Sequence, residues 1–255
     1  MKTNQDFKNA ALAALKGNWA KAVLLTVIYL AVVSVAVGPY SASAVRLQTY
    51  TQEHLSYSAS RGIGQALSQA MSQTVALASD PAYQSLQRQS NGTSGVMYLL
   101  LIFVMLPLGV GVANAFLRLL RNGDDALVQN AVGIATKGYW HKVWGMLLME
   151  IFIALWSLLL VIPGIIKAFS YAMTPYILEE NPELSANEAI DRSRYMMKGH
   201  KFDLFWLYLS FIGWFILAFL TLGIGFLWLQ PYVYTSVAAF YEEVKAEYEQ
   251  KGGLI

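Results

Sequence analysis

Lys137-Gly138-Tyr139-Trp140-His141-Lys142-Val143-Trp144-Gly145-Met146-Leu147-Leu148-Met149-Glu150-Ile151-Phe152-Ile153-Ala154-Leu155-Trp156 opens on a cation and a glycine and runs into an apolar stretch. About 20 such residues cross roughly 30 Å of hydrocarbon as a helix. The same order begins at Lys16-Gly17 and at Lys198-Gly199. A short amphipathic pattern stands before each pair. Glycine supplies the left-handed residue that ends a helix, and lysine suits a last turn whose free carbonyls are partly negative. We therefore read Gly17, Gly138 and Gly199 as helix stops. Trp19 and Trp140 follow at identical offsets, where an interfacial aromatic belongs.

The short helices have recognisable starts. Ser185-Ala186-Asn187-Glu188 is a capping box, in which Ser185 and Glu188 satisfy each other's orphan amides. From it Ala186, Ala189, Ile190, Ser193, Met196 and Met197 line one face, and Asn187, Glu188, Asp191, Arg192 and Arg194 the other. Asp124 or Asp125 is expected to cap the second copy, with Leu127, Ala131 and Ile134 as its stripe. Asn4 or Asp6 is expected to cap the first, with Phe7, Ala11, Ala14 and Leu15. Such helices are expected to lie in the cytoplasmic headgroup plane.

Composition agrees with a bilayer as solvent. Of the 255 residues 56% are hydrophobic and 13% charged, about half the charged share of a soluble domain. A net charge of +2 does not argue for nucleic acid as a partner. The absence of cysteine excludes disulfides, thiolate metal sites and a cysteine nucleophile.

Runs at 22–40, 96–120, 143–162 and 204–222 read as spans, and weaker ones at 165–179 and 224–241 as returns. Pro163-Gly164 and Leu222-Gly223-Ile224-Gly225 read as the tips between them. The fold expected is all-α: six spans in three hairpin repeats with cytoplasmic amphipathic helices. Lysines 137 and 198 are 61 positions apart and lysines 16 and 137 are 121 apart. The repeat units are therefore 4–121, 124–180 and 185–243, the first holding an extracytoplasmic insertion at 41–95. Nearly all cations fall in 1–21, 118–142, 192–201 and 245–251, which places that face and both termini in the cytoplasm. Four spans, with 165–179 and 224–241 lying in the interface, is the alternative. Ala42-Ser43-Ala44 after an apolar run has the look of a signal-peptide cleavage site, but the amphipathic stretch before that run argues for retention. In the insertion, Ile63, Leu67, Ala70, Met71, Thr74 and Ala78 have helical spacing, which Asp80-Pro81 would stop.

Three stretches carry a resemblance. They are Pro163-Gly164-Ile165-Ile166-Lys167-Ala168-Phe169-Ser170-Tyr171, Glu180-Asn181-Pro182-Glu183-Leu184-Ser185 and Met197-Lys198-Gly199. Together with Leu222 to Trp228 and Phe240 to Glu243, they resemble a family of uncharacterised bacterial integral membrane proteins, the domain-of-unknown-function family numbered 975. The resemblance is best over 137–243, and segment 41–95 departs from it in length. It implies a bacterial cytoplasmic-membrane protein and supplies no activity, so no functional residue is carried over.

Polar residues inside spans are the remaining candidates. Glu150 lies about eight residues into its span, where an ionised acid costs a few kcal/mol unless paired or near water. Arg118 is its expected partner by depth. Asn114 and Gln230 are further intramembrane polar groups, suited to interhelical hydrogen bonds or to a ligand. Glu150, Arg118, Asn114 and Gln230 together form the candidate binding site. Gly109/Ala113 and Gly111/Ala115 are small-xxx-small pairs suited to close helix contact. Glu179-Glu180-Asn181-Pro182-Glu183 reads as a solvated loop. No HExxH, GxSxG, P-loop or paired-carboxylate pattern occurs. No catalytic residue, metal or cofactor is expected. Membrane lipids are the expected partners, with other envelope proteins reached through 41–95. The function expected is a non-enzymatic membrane module. A small-molecule or ion transporter is the alternative, since internal repeats with kinked spans are common there.

Overall fold

The computed structural model describes residues 2–54, 72, 75, 76, 78–123 and 126–252. Among them every regular element is a helix: α1 (Asn4–Leu15), α2 (Trp19–His54), α3 (Pro81–Asn122), α4 (Leu127–Thr136), α5 (Tyr139–Leu159), α6 (Val161–Tyr171), α7 (Thr174–Glu180), α8 (Ala186–Met196), α9 (Lys201–Leu209), α10 (Ile212–Leu220) and α11 (Phe226–Gln250). The chain forms two compact units, Met1–Leu30 with Ile102–Ile255, and Ala31–Leu101.

In the second unit Asp80 does more than interrupt a helix. Its carboxylate accepts from the Ala82 amide at 2.7 Å and so caps α3, with Pro81 at the first helical position. The Tyr50 hydroxyl also donates to it, at 2.9 Å. Of the helix expected across 63–78, Ala78 is helical, while Ile63, Leu67, Ala70, Met71 and Thr74 lie outside the described residues.

Among the described residues, four helical stretches, all in the first unit, are long and apolar enough to cross a membrane: Ile102–Asn122, Tyr139–Leu159, Val161–Glu180 and Lys201–Leu220. α1 and Trp19–Ser34 pass only as a pair, bent by 97° at Lys16-Gly17. Four or five candidates thus stand where six spans are expected. The region 224–241 in α11 falls short because Gln230, Thr235 and Ser236 dilute its apolar residues. The outer surface is apolar to a degree water does not tolerate over such an area. All of Leu158 to Ile162 are exposed, and Leu222 reaches 94%. These residues mark the two tips. At the first, a Cβ on Gly164 would lie 2.7 Å from the Ser157 Cα, so α5 and α6 cross there as only glycine allows. At the second, Leu222 and Gly223 both take positive φ.

Left-handed glycines follow the short helices, Gly17 and Gly138 directly after the cap and Gly199 one residue later. Gly17, Gly138 and Gly199 have φ of +84°, +63° and +97°. Ser185 and Glu188 form their capping box, with the Ser185 amide 2.7 Å from the Glu188 carboxylate. The first helix departs by one residue. Thr3, not Asn4 or Asp6, is the cap, with Asp6 as its reciprocal partner at 2.8 Å from the Thr3 amide. Asp124 and Asp125 lie outside the described residues.

Hydrogen bonds from Ser185 hold Glu188 below the usual carboxylate range. A lowered folded-state value means that this support is present above the ordinary 4.5 and is lost as pH falls through the lowered value. Amide hydrogen exchange at 186–189 is therefore expected to accelerate on acidification relative to the core of α8. Ser185→Ala should give that faster exchange already at neutral pH.

The apolar stripes of these helices pack on protein. Ala186, Ala189, Ile190, Ser193 and Met196 are buried, with α8 packed on α5, α6 and α7. Phe7, Ala11 and Leu15 are buried likewise, and α1 packs along α11, where Phe7 meets Phe240 edge-on at 5.5 Å.

Those helices also close breaks in the candidate spans. Backbone groups freed within a bilayer need internal partners. Between α6 and α7 the Ser193 hydroxyl accepts from the Met173 amide at 3.1 Å and donates to the Ser170 carbonyl at 3.0 Å. Between α9 and α10 the Lys8 ammonium donates to the Ser210 carbonyl at 2.7 Å and lies 4.3 Å from the centre of the Phe211 ring. Lys8 is only 9% exposed. Inside α3, Pro107 has no amide to offer Phe103, and the Tyr139 hydroxyl donates to that carbonyl at 2.5 Å.

Candidate functional site

Three contacts join positions that share one sequence separation. The Asn114 amide donates to the Pro175 carbonyl at 2.9 Å, Arg118 pairs with Glu179 at 3.1 Å, and the Tyr241 hydroxyl donates to Glu180 at 2.6 Å. Each pair is 61 residues apart, the separation of Lys137 and Lys198. Arg121 and Glu242 pair across 121 residues, the separation of Lys16 and Lys137.

These contacts belong to one cluster joining α3, α7 and α11. Glu179 takes Arg118 and also Lys142, at 2.7 Å. Lys142 is buried at the start of α5 and donates to the Lys137 carbonyl at 2.5 Å and to that of Ile134, so it closes the end of α4 as well. Glu180 takes Arg121, Lys245 at 2.7 Å and the Tyr241 hydroxyl. The rings of Tyr176 and Tyr241 stack beneath it with centres 4.6 Å apart. Four cations, Arg118, Lys142, Arg121 and Lys245, share these two adjacent carboxylates in one charge network.

The four candidate residues do not assemble. Asn114 is buried and holds the Val110 and Pro175 carbonyls, which makes it a clamp between α3 and α7. Arg118 pairs with Glu179 instead of Glu150. The reason is helical phase: Lys142, Val143, Gly145, Met146 and Met149 form the buried face of α5, and Glu150 lies one step round from Met149 on the exposed face. Among the described residues Glu150 has no hydrogen bond or ion pair. Gln230 lines a cavity of about 360 Å³, which Gly109, Tyr176, Tyr208, Phe215 and Tyr234 also border. Neither Glu150 nor any other charged residue is among the residues lining it.

The sequence reading missed Lys8, Lys142, Glu179 and Glu180, together with the cavity tyrosines. The signal for Glu179 and Glu180 was present, since each stands 61 residues from a polar partner, Arg118 and Tyr241. Among the described residues no three His, Asp or Glu side chains are grouped to hold a metal ion.

A family model described as "Protein of unknown function (DUF975)" matches residues 158–248. Searches of the curated proteins and of the solved structures gave no match. The matched segment runs from the end of α5 almost to the end of α11. It contains the Pro163–Tyr171 stretch, the Ser185 cap and Gly199, on which the resemblance rests. Residues 158–248 are thus similar to the DUF975 family, whose function is unknown.

Proposed function

We propose that the chain is a non-enzymatic, multi-pass module of the bacterial cytoplasmic membrane that organises, senses or assists other envelope components. Three repeat units of surface helix, stop, span and return are locked together by the contacts at 61 and 121 residues. In this reading α11 completes six spans and both termini lie in the cytoplasm. The hydroxyls of Thr235 and Ser236 bond the Pro231 and Tyr232 carbonyls of their own helix, so burial hides the polarity that lowers its hydropathy. Lipids surround the bundle, and envelope proteins are met through 41–95.

The observation behind this reading is the mutual satisfaction of the charged groups around Glu179 and Glu180. No free acid faces a shared path there, and Glu150 faces outward. A liposome flux assay on the purified chain tests it. We expect no proton-coupled uptake, and Glu150→Gln should leave the proteoliposomes indistinguishable from the parent. Proton-coupled flux that falls tenfold with Glu150→Gln would overturn the proposal in favour of transport.

A further inference from the structure

The cavity gathers polar groups that the protein leaves unused. Among the described residues the hydroxyls of Tyr176, Tyr208 and Tyr234 and the Gln230 carboxamide make no hydrogen bond. Tyr176 is 2% exposed, and its ring is fixed by stacking on Tyr241. The Tyr234 ring is fixed in the same way on Phe116, with centres 5.8 Å apart. A polar group left bare in apolar surroundings is costly, and a ligand that accepts from it removes the cost.

The donors define the ligand. Three phenols donate, and a carboxamide both donates and accepts. Their complement is a group rich in acceptor oxygens. With no charged side chain among the lining residues, a phosphate, carboxylate or ammonium would enter without a counter-ion. The rest of the wall is aliphatic and aromatic. Tyr208 and Phe215, each 38% exposed, place the mouth on the α9–α10 side, beside the exposed Trp214, Ile216 and Leu217. That face is apolar like the bilayer. A volume of about 360 Å³ falls at the small end of ligand pockets.

We propose that this cavity binds the uncharged, carbonyl-bearing head of a membrane amphiphile, which enters sideways at the exposed Tyr208 and Phe215. Its oxygens accept from Tyr176, Tyr208 and Tyr234, and its tail stays in the bilayer. A quinone ring and a glycerol diester share this chemistry. The proposal is independent of whether the module organises or carries.

Equilibrium binding to the full chain in nanodiscs, with tritiated decylubiquinone and tritiated dioleoylglycerol as separate probes, tests it. Saturable one-to-one binding of either probe is expected. Tyr176→Phe should weaken it at least tenfold without lowering the thermal midpoint of the unliganded protein, because the lost hydroxyl bonds nothing there. Gly109→Leu should abolish it, since a Cβ at Gly109 meets nothing within 4 Å and the side chain would grow into the cavity. Binding of the quinone alone assigns a quinone head, and binding of the diester alone assigns a glycerolipid. Three results would overturn the proposal: no saturable binding of either probe, parental affinity in Tyr176→Phe, or equally tight binding of anionic dioleoyl phosphatidic acid.

Discussion

Glu180→Gln should lower the stability of the bundle by about 3 kcal/mol, the loss expected when one partner of a buried ion pair goes and the other stays. The Glu180 side chain is 14% exposed and is shared by Arg121, Lys245 and Tyr241. A neutral amide keeps the shape but leaves two cations near each other without their common anion. In detergent the thermal midpoint should fall by roughly 6–12 °C. Lys245→Gln alone should cost less, and the double variant should fall short of the sum, because both changes act on one network. Strict additivity would mean that the cluster is a set of separate surface pairs.

Gly111→Ala should cost about 3 kcal/mol, the upper part of the range for forcing a methyl into a packed interior. The added Cβ would lie 2.1 Å from the Ala131 carbonyl oxygen. That oxygen is backbone in α4 and has no rotamer to escape into, so α3 and α4 must part. Gly109, two residues earlier on the same helix, gives the internal control. Gly109→Ala should be neutral or should stabilise by about 0.5–1 kcal/mol through helix propensity. Unfolding of both variants in one detergent decides the matter, and equal effects would refute the close contact at Gly111.

The legible parts of the fold were local. A glycine stop needs a backbone conformation, and a capping box needs two residues three apart. Gly17, Gly138, Gly199, Ser185 and Glu188 therefore came directly from the chain. The direction in which a span faces did not. Lipid and protein interior are equally apolar, so the run around Glu150 has no polar side to reveal its phase, and the expected Arg118 partner was a match of depth alone. Glu179 and Glu180 resemble a loop because Asn181, Pro182 and Glu183 follow them, and only the 61-residue register exposes their partners. Lys8 looks solvated on a helix of charged and small residues. Its burial depends on a carbonyl freed at Ser210, about 200 positions later in the sequence. The close pair at Gly111 was legible as a pattern, but the equivalent pattern at Gly109 borders open space, and composition does not separate the two.

The Lys8–Ser210 contact has a bearing on biogenesis. A ribosome delivers α1 well before α9 to α11. Until then Lys8 and Phe7 lack their partners, and the α9–α10 break, once inserted, is unfilled until the first helix docks. Lys2 also awaits Glu243, which it pairs with at 3.0 Å. α1, made well before its partners, is thus the keystone of the finished bundle. An insertion intermediate would expose an uncapped carbonyl and a lone ammonium at the membrane, features by which quality-control proteases could distinguish unfinished copies from mature ones.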